Sequence, residues 1–194
     1  MFSGIIKNIG ILSKIEPQNS NLLLTFDSSV SKTLAIDQSV AHNGICLTII
    51  EQNDHQHKVC VVFETRSKTA IQYWEIGMNV NLELSLRLNG FVDGHLVYGH
   101  IDTTSKCIAI MNNNGSWLLT FEHFKNPKLI LLHGSIIING VCLTVARIVN
   151  KNQFVVSIIP YTFTHTTFQF FKIGDIANIE FDIIGKYLLH FQDC

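Results

Sequence analysis

The sequence lacks the features that mark several large classes of protein. Charged residues make up only 15% of the chain and no run of lysine or arginine occurs, which argues against a partner bound through a phosphate backbone. No apolar stretch approaches the roughly 20 residues that a membrane-spanning helix needs. The first residues show no basic segment followed by a long apolar one, as a secretory signal would. We therefore expect a cytoplasmic globular protein.

The sequence is also poor in cysteine patterns and in common catalytic motifs. Its five cysteines are an odd number, and no two of them form a C-x-x-C pair, which is typical of a reduced compartment. It contains no phosphate-binding loop, dinucleotide fingerprint or G-x-S-x-G elbow. His95 and His100 are conspicuous, but no further ligands follow at zinc spacing, so we expect no metal. We expect these histidines to form hydrogen bonds at a domain junction or to line a pocket.

What the sequence does contain is an internal repeat. Ser39–Thr48 reads S-V-A-H-N-G-I-C-L-T, and Ser135–Thr144, about half a chain length later, reads S-I-I-I-N-G-V-C-L-T. Three further matches keep nearly the same spacing: Gly4-Ile5-Ile6 with Gly99-His100-Ile101, Thr65 with Thr162, and Asn81-Leu82-Glu83 with Asn178-Ile179-Glu180.

The repeat predicts two domains of one fold. A unit of this length is too long for a solenoid repeat and about right for a small domain. Asn89-Gly90 and Asp93-Gly94 supply turn residues near the midpoint. We predict an N-terminal domain at residues 1–95, a C-terminal domain at 96–184 and a tail at 185–194.

Each half reads mainly as short strands. Asn43-Gly44 and Asn139-Gly140 lie between apolar segments and predict hairpins. Because closing a sheet removes its exposed edges, many short strands in so small a unit favour all-β barrels. The segments predicted as strands are Leu22–Phe26, Val59–Phe63, Val80–Leu84, Ser135–Ile138, Val141–Val145, Phe154–Ile159 and Asn178–Asp182.

Helices are predicted to be few and short. One candidate is Glu122–Leu132, begun by Lys125-Asn126-Pro127 and followed by Gly134, and Ser28–Leu34 is its weaker counterpart. The tail Ile183–Cys194 places its apolar residues on one helical stripe. That stripe would either pack on its own domain or associate with another subunit.

Cys46 and Cys142 occupy equivalent positions in the two copies. Taken alone, each is best interpreted as a buried strand cysteine, since free cysteine is usually buried. However, asparagine, glycine and threonine flank both, and Thr65 and Thr162 follow equivalent strands. Small polar groups at strand ends can recognise the edge of a ring, which favours two similar binding pockets.

These motifs together resemble the riboflavin synthase family, alpha-chain type. They are M-F-S-G-I-I, S-V-A-H-N-G-I-C-L-T, G-H-L-V-Y-G-H-I-D, I-N-G-V-C-L-T-V, I-I-P-Y-T and N-I-E-F-D, in this order across the whole chain. The resemblance implies two tandem six-stranded Greek-key barrels, short helices and a C-terminal helix that assembles a homotrimer. It implies no metal or redox cofactor, and lumazine synthase is a candidate partner.

The resemblance also implies a reaction, the last step of riboflavin biosynthesis. Two molecules of 6,7-dimethyl-8-ribityllumazine dismutate, and one donates a four-carbon unit to the other. The products are riboflavin and 5-amino-6-ribitylaminouracil. Because both substrates are the same molecule, two homologous pockets suit this chemistry.

Site residues are implied by the same resemblance. Ser39, Cys46 and His100 are candidates for proton transfer or for positioning a nucleophile, and Asp182 matches a carboxylate near the site. Phe2 is expected to pack on a substrate ring. The N-terminal pocket is expected to use Gly4, Ile5, Ile6, Cys46, Leu47, Thr48, Cys60, Val61, Val62, Phe63, Glu64 and Thr65. The C-terminal pocket is expected to use Gly99, His100, Ile101, Cys142, Leu143, Thr144, Ser157, Ile158, Ile159, Pro160, Tyr161 and Thr162.

This chain departs from the family pattern at several of these positions. His133, which we count among both the catalytic and the substrate-binding candidates, replaces the usual lysine. Cys142 replaces serine, Asn139 replaces aspartate, and Asp93-Gly94-His95 replaces Gly-Gly-His. Because a histidine is only partly charged near neutral pH, we expect turnover to depend more steeply on pH between about 5 and 8 than in a lysine-bearing relative.

Two other functions fit parts of the sequence. One is a non-catalytic lumazine- or flavin-binding protein of the optical or storage kind, which typically keeps one working pocket. The other is a pair of ligand-free barrels that serves as an interaction module. Both copies retain N-G-x-C-L-T and a threonine after the third apolar run, which favours the enzyme.

Overall fold

The protein consists of two closed antiparallel barrels of six strands each, which confirms the predicted fold class. The structure is a computed structural model that describes residues 1–123 and 127–192. The spatial order of strands is β1-β2-β5-β4-β3-β6 in the first barrel, which is a Greek key, and the second barrel repeats it. The first barrel contains β1 (Asn8–Gln18), β2 (Asn21–Asp27), β3 (Ser39–His42), β4 (Ile45–Gln52), β5 (Gln56–Val61) and β6 (Asn79–Leu84). The second contains β7 (Thr103–Asn112), β8 (Trp117–Glu122), β9 (Ser135–Ile138), β10 (Val141–Asn150), β11 (Gln153–Ile158) and β12 (Ile176–Phe181).

Among the described residues, three short α-helices accompany the strands. They are α1 (Phe63–Lys68), α2 (Pro160–His165) and α3 (Ile183–Gln192). Single 3-10 turns lie at Ser31–Thr33, Ala70–Tyr73, Pro127–Leu129 and Thr167–Phe170. Within the described ranges no helix is both long and apolar enough to cross a membrane. In that same part of the chain, no group of three or more His, Cys, Asp or Glu side chains could hold a metal ion.

The predicted strand Val59–Phe63 extends too far. The strand ends at Val61, and Phe63 begins α1 after Val62, which keeps an extended backbone as the N-cap residue. The helix is supported by an ion pair of 2.6 Å between Glu64 and Lys68, one turn apart. The strand predicted at Phe154–Ile159 ends one residue early in the same way, and Pro160 begins α2.

The predicted helix Glu122–Leu132 is wrong for the described residues. Glu122 is the last residue of β8, and Pro127–Leu129 forms one 3-10 turn. Lys125 and Asn126 lie outside the described residues. The weaker counterpart, Ser28–Leu34, likewise contains only the turn Ser31–Thr33.

Four buried asparagines join the barrels. Asn81 Nδ2 donates to the Asn139 carbonyl at 2.9 Å, and Asn178 Nδ2 donates to the Asn43 carbonyl at 3.0 Å. Within each barrel, the Asn43 and Asn139 side-chain oxygens accept the Asn81 and Asn178 amides at 2.8 Å. The network is the same when the two barrels are exchanged, so an approximate two-fold axis passes through it.

Two glycines allow the hairpins to meet on this axis. A Cβ on Gly44 would lie 2.7 Å from the Gly140 nitrogen, and a Cβ on Gly140 would lie 2.8 Å from the Gly44 nitrogen. Both glycines have φ of +81°, which other residues rarely adopt. The repeated Asn-Gly pair thus forms hairpin turns, as predicted, and it also forms the interface between the barrels.

Candidate functional site

The polar residues of the repeat lie on the outer faces of the barrels. On β4, Ile45, Leu47 and Ile49 point into the core, so Cys46 and Thr48 point outwards. On β10, Val141, Leu143 and Val145 are buried, and Cys142 and Thr144 point outwards in the same way. The strand partners of Thr48 and Thr144 are Ser39 and Ser135. We name Ser39, Cys46 and Thr48 the first half-site, and Ser135, Cys142 and Thr144 the second half-site.

Each half-site is flanked by the chain that leads out of the next strand. Cys60 on β5 is half-buried, and the following Val62, Phe63 and Glu64 are exposed. Ser157, Ile159, Pro160 and Tyr161 are exposed at the equivalent place in the second barrel. The carbonyls of Thr65 and Thr162 each accept the hydroxyl of a threonine four residues later, at 2.8 Å. Each half-site thus has exposed apolar side chains beside a row of small polar groups, and such a surface can bind a ring with one polar edge.

The segment that precedes each barrel completes the half-site of the other barrel. The Cys46 amide donates to the Gly99 carbonyl at 2.9 Å, and the Cys142 amide donates to the Gly4 carbonyl at 2.8 Å. Ile101 packs on the core of the first barrel, and Ile6 belongs to the core of the second. The structure places Gly4, Ile5 and Ile6 beside the second half-site, and Gly99, His100 and Ile101 beside the first, whereas the sequence grouped each segment with the barrel that follows it. Which of these residues contact a ligand stays a prediction.

Two glycines allow the segment before each barrel to pack against the opposite barrel. A Cβ on Gly4 would lie 2.6 Å from the Cys142 Cβ, and a Cβ on Gly99 would lie 2.6 Å from the Cys46 Cβ. Both have positive φ, at +79° and +76°. The contacts run between the halves of the chain, so a pattern read within one half could not predict them.

Two buried carboxylates hold the segments around Ser3-Gly4 and Tyr98-Gly99, which we name the crossing segments because each packs on the opposite barrel. Glu83 accepts the amides of Ser3 and Gly4 at 2.7 and 3.0 Å, and Glu180 accepts those of Tyr98 and Gly99 at 2.8 and 2.9 Å. Burial raises the pKa of both carboxyls, and the amide hydrogen bonds oppose that rise. The sequence prediction assigned these residues no role, although the repeat of Asn-x-Glu marked both positions.

The second half-site carries a histidine beside its cysteine. His95 Nδ1 lies 3.0 Å from Cys142 Sγ. Burial lowers the pKa of His95, and the negative charge of Asp182 opposes that change. Burial raises the pKa of the Cys142 thiol. At neutral pH a protonated thiol thus lies beside a neutral imidazole, with a carboxylate nearby, an arrangement suited to proton transfer.

The comparison with known proteins matches this duplicated arrangement. The family model of the lumazine-binding domain matches residues 3–85 and again residues 98–182. The riboflavin synthase of Actinobacillus pleuropneumoniae is 35% identical over 193 residues, which cover 98% of this chain and 89% of that protein. The riboflavin synthase of Bacillus subtilis is 33% identical over 195 residues, with the same coverage of 98% and 89%. The chain belongs to the riboflavin synthase family.

Solved structures of other proteins show the same fold. LumP complexed with riboflavin superposes with a TM-score of 0.87 at 19% sequence identity, covering 94% of this chain and all of that one. LumP complexed with 6,7-dimethyl-8-(1'-D-ribityl) lumazine gives a TM-score of 0.83 at 20% identity, covering 94% and 99%. At this level of identity the likeness shows a shared fold.

Within this riboflavin synthase family fold, the remaining predicted residues take different positions. Leu47, Val61, Leu143 and Ile158 are buried in the barrel cores. Phe2 is fully buried between the barrels, where it packs with Ala41, Val97 and Ile137. Phe2 therefore stabilises the junction, and its predicted contact with a substrate ring stays a prediction.

The three remaining polar candidates lie near the half-sites. His100 is exposed and follows Gly99, which adjoins Cys46. His133 is exposed in the turn before β9, with φ of +63°, and its amide donates to the Val145 carbonyl at 2.9 Å. Asp182 follows β12 and accepts the Ile184 amide at 2.8 Å, so it caps α3.

A cavity adjoins the second half-site. Ser135 and Asp182 line this cavity of about 310 Å³ together with Leu131, Ile184 and Leu188. A more polar cavity of about 540 Å³ is lined by Lys68, Ile101 and Asp102, of which Ile101 belongs to the segment beside the first half-site. Ser135 is thus a member of the second half-site that the sequence prediction did not include, although its match with Ser39 marked it.

Proposed function

We propose that this chain catalyses the riboflavin synthase reaction, in which two 6,7-dimethyl-8-ribityllumazines yield riboflavin and 5-amino-6-ribitylaminouracil. The observation that carries the proposal is the duplicated half-site, with a serine, a cysteine and a threonine at equivalent outward positions of both barrels. A reaction between two copies of one molecule needs two similar binding surfaces. Holding both reactants in one geometry can contribute roughly 7–11 kcal/mol to lowering the barrier.

The half-sites supply polar groups for the two proton-dependent steps. One lumazine must lose a proton from its C7 methyl group, and the other must receive a nucleophile at C7. In the first half-site, Ser39, Cys46 and His100 act on these steps. In the second half-site, the acceptor and donor groups are the His95–Cys142 pair and Asp182, with His133 at the edge.

The exposed position of both half-sites supports assembly into a homotrimer. Each half-site is an outer barrel face, so a second subunit must cover it to exclude water from the reaction. In the trimer, the N-terminal barrel of one subunit faces the C-terminal barrel of another. Helix α3 supplies the contact, because Ile184, Tyr187, Leu188 and Phe191 are all exposed on it.

The same proposal extends to domain boundaries and cellular context. The N-terminal barrel domain comprises residues 1–95, the C-terminal barrel domain 96–184, and the assembly helix with its tail 185–194. The enzyme acts in the cytoplasm. Lumazine synthase is a candidate partner, because an enzyme that makes lumazine would supply the substrate.

The first test is turnover without additions. The purified protein is mixed with 6,7-dimethyl-8-ribityllumazine in the absence of added metal or cofactor, and riboflavin absorbance is followed. We expect one riboflavin for every two lumazines consumed. Tight lumazine binding without turnover would contradict the proposal and would favour the optical or storage protein.

A matched pair of variants tests whether the half-sites carry the reaction. Thr48→Val changes an outward hydroxyl of the first half-site to a methyl group of similar size, and Thr120→Val makes the same change on β8, outside both half-sites. We expect at least a ten-fold loss of kcat/KM for Thr48→Val and less than a two-fold change for Thr120→Val. Equal effects would mean that the half-site is wrongly placed.

A further inference from the structure

A cleft of about 570 Å³ opens between the two barrels, away from both half-sites. Its walls are the segments 70–79 and 167–176, which lead into the last strand of each barrel. Each segment contains a 3-10 turn followed by Ile-Gly, so the two walls are copies of one another. Asn139 of the junction network also lines the cleft, which places it on the approximate two-fold axis.

The cleft contains exposed apolar side chains. Tyr73 is 58% exposed and Phe170, at the matching position, is 49% exposed. Ile76 also lines the cleft and is 64% exposed. Large exposed apolar side chains around one concavity mark a binding site more often than ordinary surface.

Polar groups in the walls break the symmetry of the cleft. Glu75 lies on one wall and Lys172 at the matching position on the other, and Asp175 also lines the cleft, so the cleft offers charges of both signs. Thr167 replaces Ala70 of the first wall, and its buried hydroxyl has no hydrogen-bond partner among the described residues. A buried hydroxyl without a partner is uncommon and is satisfied when a small shift lets a ligand group reach it.

We infer that this cleft binds one molecule with a flat, fused heteroaromatic ring of the flavin class. The ring would lie against Tyr73 and Phe170, with its polar edges towards Glu75, Lys172 and Thr167. The volume falls within the roughly 300–1,000 Å³ of small-molecule sites. The choice of a flavin rests on the proposed function, because that reaction produces such a ring in the same molecule. The site lies on other elements than β4 and β10, so it is distinct from the half-sites.

The experiment counts bound riboflavin. Wild-type protein is saturated with riboflavin, and bound ligand is measured by ultrafiltration beside the variant Tyr73→Ala/Phe170→Ala. The control, Met111→Ala/Val149→Ala, truncates two exposed apolar residues of the second barrel that do not line the cleft. We expect the cleft variant to bind one riboflavin per chain fewer than the wild type and the control, with lumazine turnover changed less than two-fold.

A spectroscopic measurement locates the bound ring. Trp74 lines the cleft, and the chain contains two tryptophans, so Trp117→Phe leaves Trp74 as the sole reporter. In that background we expect part of the quenching of Trp74 by riboflavin to be lost when Tyr73 and Phe170 are truncated.

Three outcomes decide the inference. Equal riboflavin counts in the wild type and the cleft variant would overturn it. Self-association that disappears in the cleft variant, without loss of a riboflavin, would also overturn it and assign the cleft to a second copy of the chain. An extra riboflavin bound by a protein without turnover would support the cleft site while the proposed function fails.

Discussion

Gly99 shows how one side-chain hydrogen sets the geometry of a half-site. Its carbonyl accepts the Cys46 amide, and its Cα lies so close to β4 that an added Cβ would meet the Cys46 Cβ at 2.6 Å. The backbone at Gly99 is also in the left-handed region, with φ of +76°. For both reasons, a side chain at position 99 would require β4, or the segment that carries His100, to move.

We predict that Gly99→Ala lowers turnover at least ten-fold and the free energy of unfolding by about 2–4 kcal/mol. The control is Gly115→Ala, where φ is +123° but nothing lies within 4 Å of an added Cβ. That control suffers backbone strain alone, so it should lose stability and keep its turnover. The measurements are initial rates and urea unfolding of both variants. Loss of turnover in Gly115→Ala would show that strain alone explains the effect.

His133 allows a direct test of charge at the edge of the second half-site. We predict that His133→Lys makes turnover less dependent on pH between about 5 and 8, because a lysine stays charged over this range and a histidine does not. Leu132→Lys is the matched control, since it adds the same charge one residue away at another exposed position. Initial rates across this range measure the effect. Identical pH profiles for His133→Lys and the unchanged protein would refute the prediction.

At the scale of elements, the two barrels differ most in their interiors. His42 Nε2 lies 2.9 Å from His57 Nε2, and His57 Nδ1 lies 2.8 Å from Ser31 Oγ, all inside the first barrel. The matching core positions in the second barrel are Ile138 and Phe154. Burial lowers the pKa of His57 to about 4 and that of His42 well below its usual range.

This pair predicts a loss of stability in mild acid. The unfolded chain protonates both histidines as the pH falls through about 6.5, whereas the folded barrel resists protonation until about pH 4. Stability is therefore lost progressively between these two values. We expect the free energy of unfolding to fall by roughly 2–4 kcal/mol between pH 7.5 and pH 5 on account of this pair.

The variant His42→Ile/His57→Phe copies the interior of the second barrel and isolates the effect. Glu83 and Glu180 have raised pKa values, so their protonation stabilises the fold in acid and partly masks the histidines. Both carboxyls remain in the variant, and comparing its pH slope with that of the wild type cancels their contribution. Parallel pH slopes of the unfolding free energy, measured by urea unfolding, would contradict the prediction, because they would show that the two histidines bind protons equally in the folded and unfolded states.

Elements made from local patterns could be predicted, and contacts between distant segments could not. The hairpins at Asn43-Gly44 and Asn139-Gly140 follow from turn chemistry, and the strands follow from runs of aliphatic residues. No local sequence pattern indicates that Gly4 packs on the second barrel and Gly99 on the first. The sequence offered polar neighbours of Cys46 as signs of a pocket, yet the asparagine and glycine among them form the barrel interface.

At the scale of the whole molecule, the duplicated sequence forms both the half-sites and the interface between the two barrels. Outward residues on β4 and β10 form the half-sites, and the turns at the starts of these strands meet on the two-fold axis. The crossing segments then tie each half-site to the opposite barrel through Glu83 and Glu180. We therefore expect a substitution at the two-fold axis to alter the geometry of both half-sites.

The asparagine network predicts that the two barrels unfold together. Asn81 Oδ1 accepts the Thr167 amide and Asn178 Oδ1 accepts the Ala70 amide, so each side chain makes both of its hydrogen bonds to the opposite barrel. Asn81→Ala/Asn178→Ala removes these bonds and leaves buried amides and carbonyls unpaired, at roughly 1–3 kcal/mol each. We expect the wild type to unfold in one transition and this variant to unfold in two, with turnover reduced at least ten-fold.

The control for this prediction is Asn113→Ala, which removes an exposed asparagine from the turn between β7 and β8. It should unfold in one transition with unchanged turnover. Urea unfolding is followed both by Trp74 in the first barrel and by Trp117 in the second, using variants that keep one tryptophan each. Because the two tryptophans report separate cores, coincident transitions in the double variant would mean that Phe2 and the crossing segments suffice to couple the barrels. Separate transitions with full turnover would mean that the half-sites do not depend on the axis.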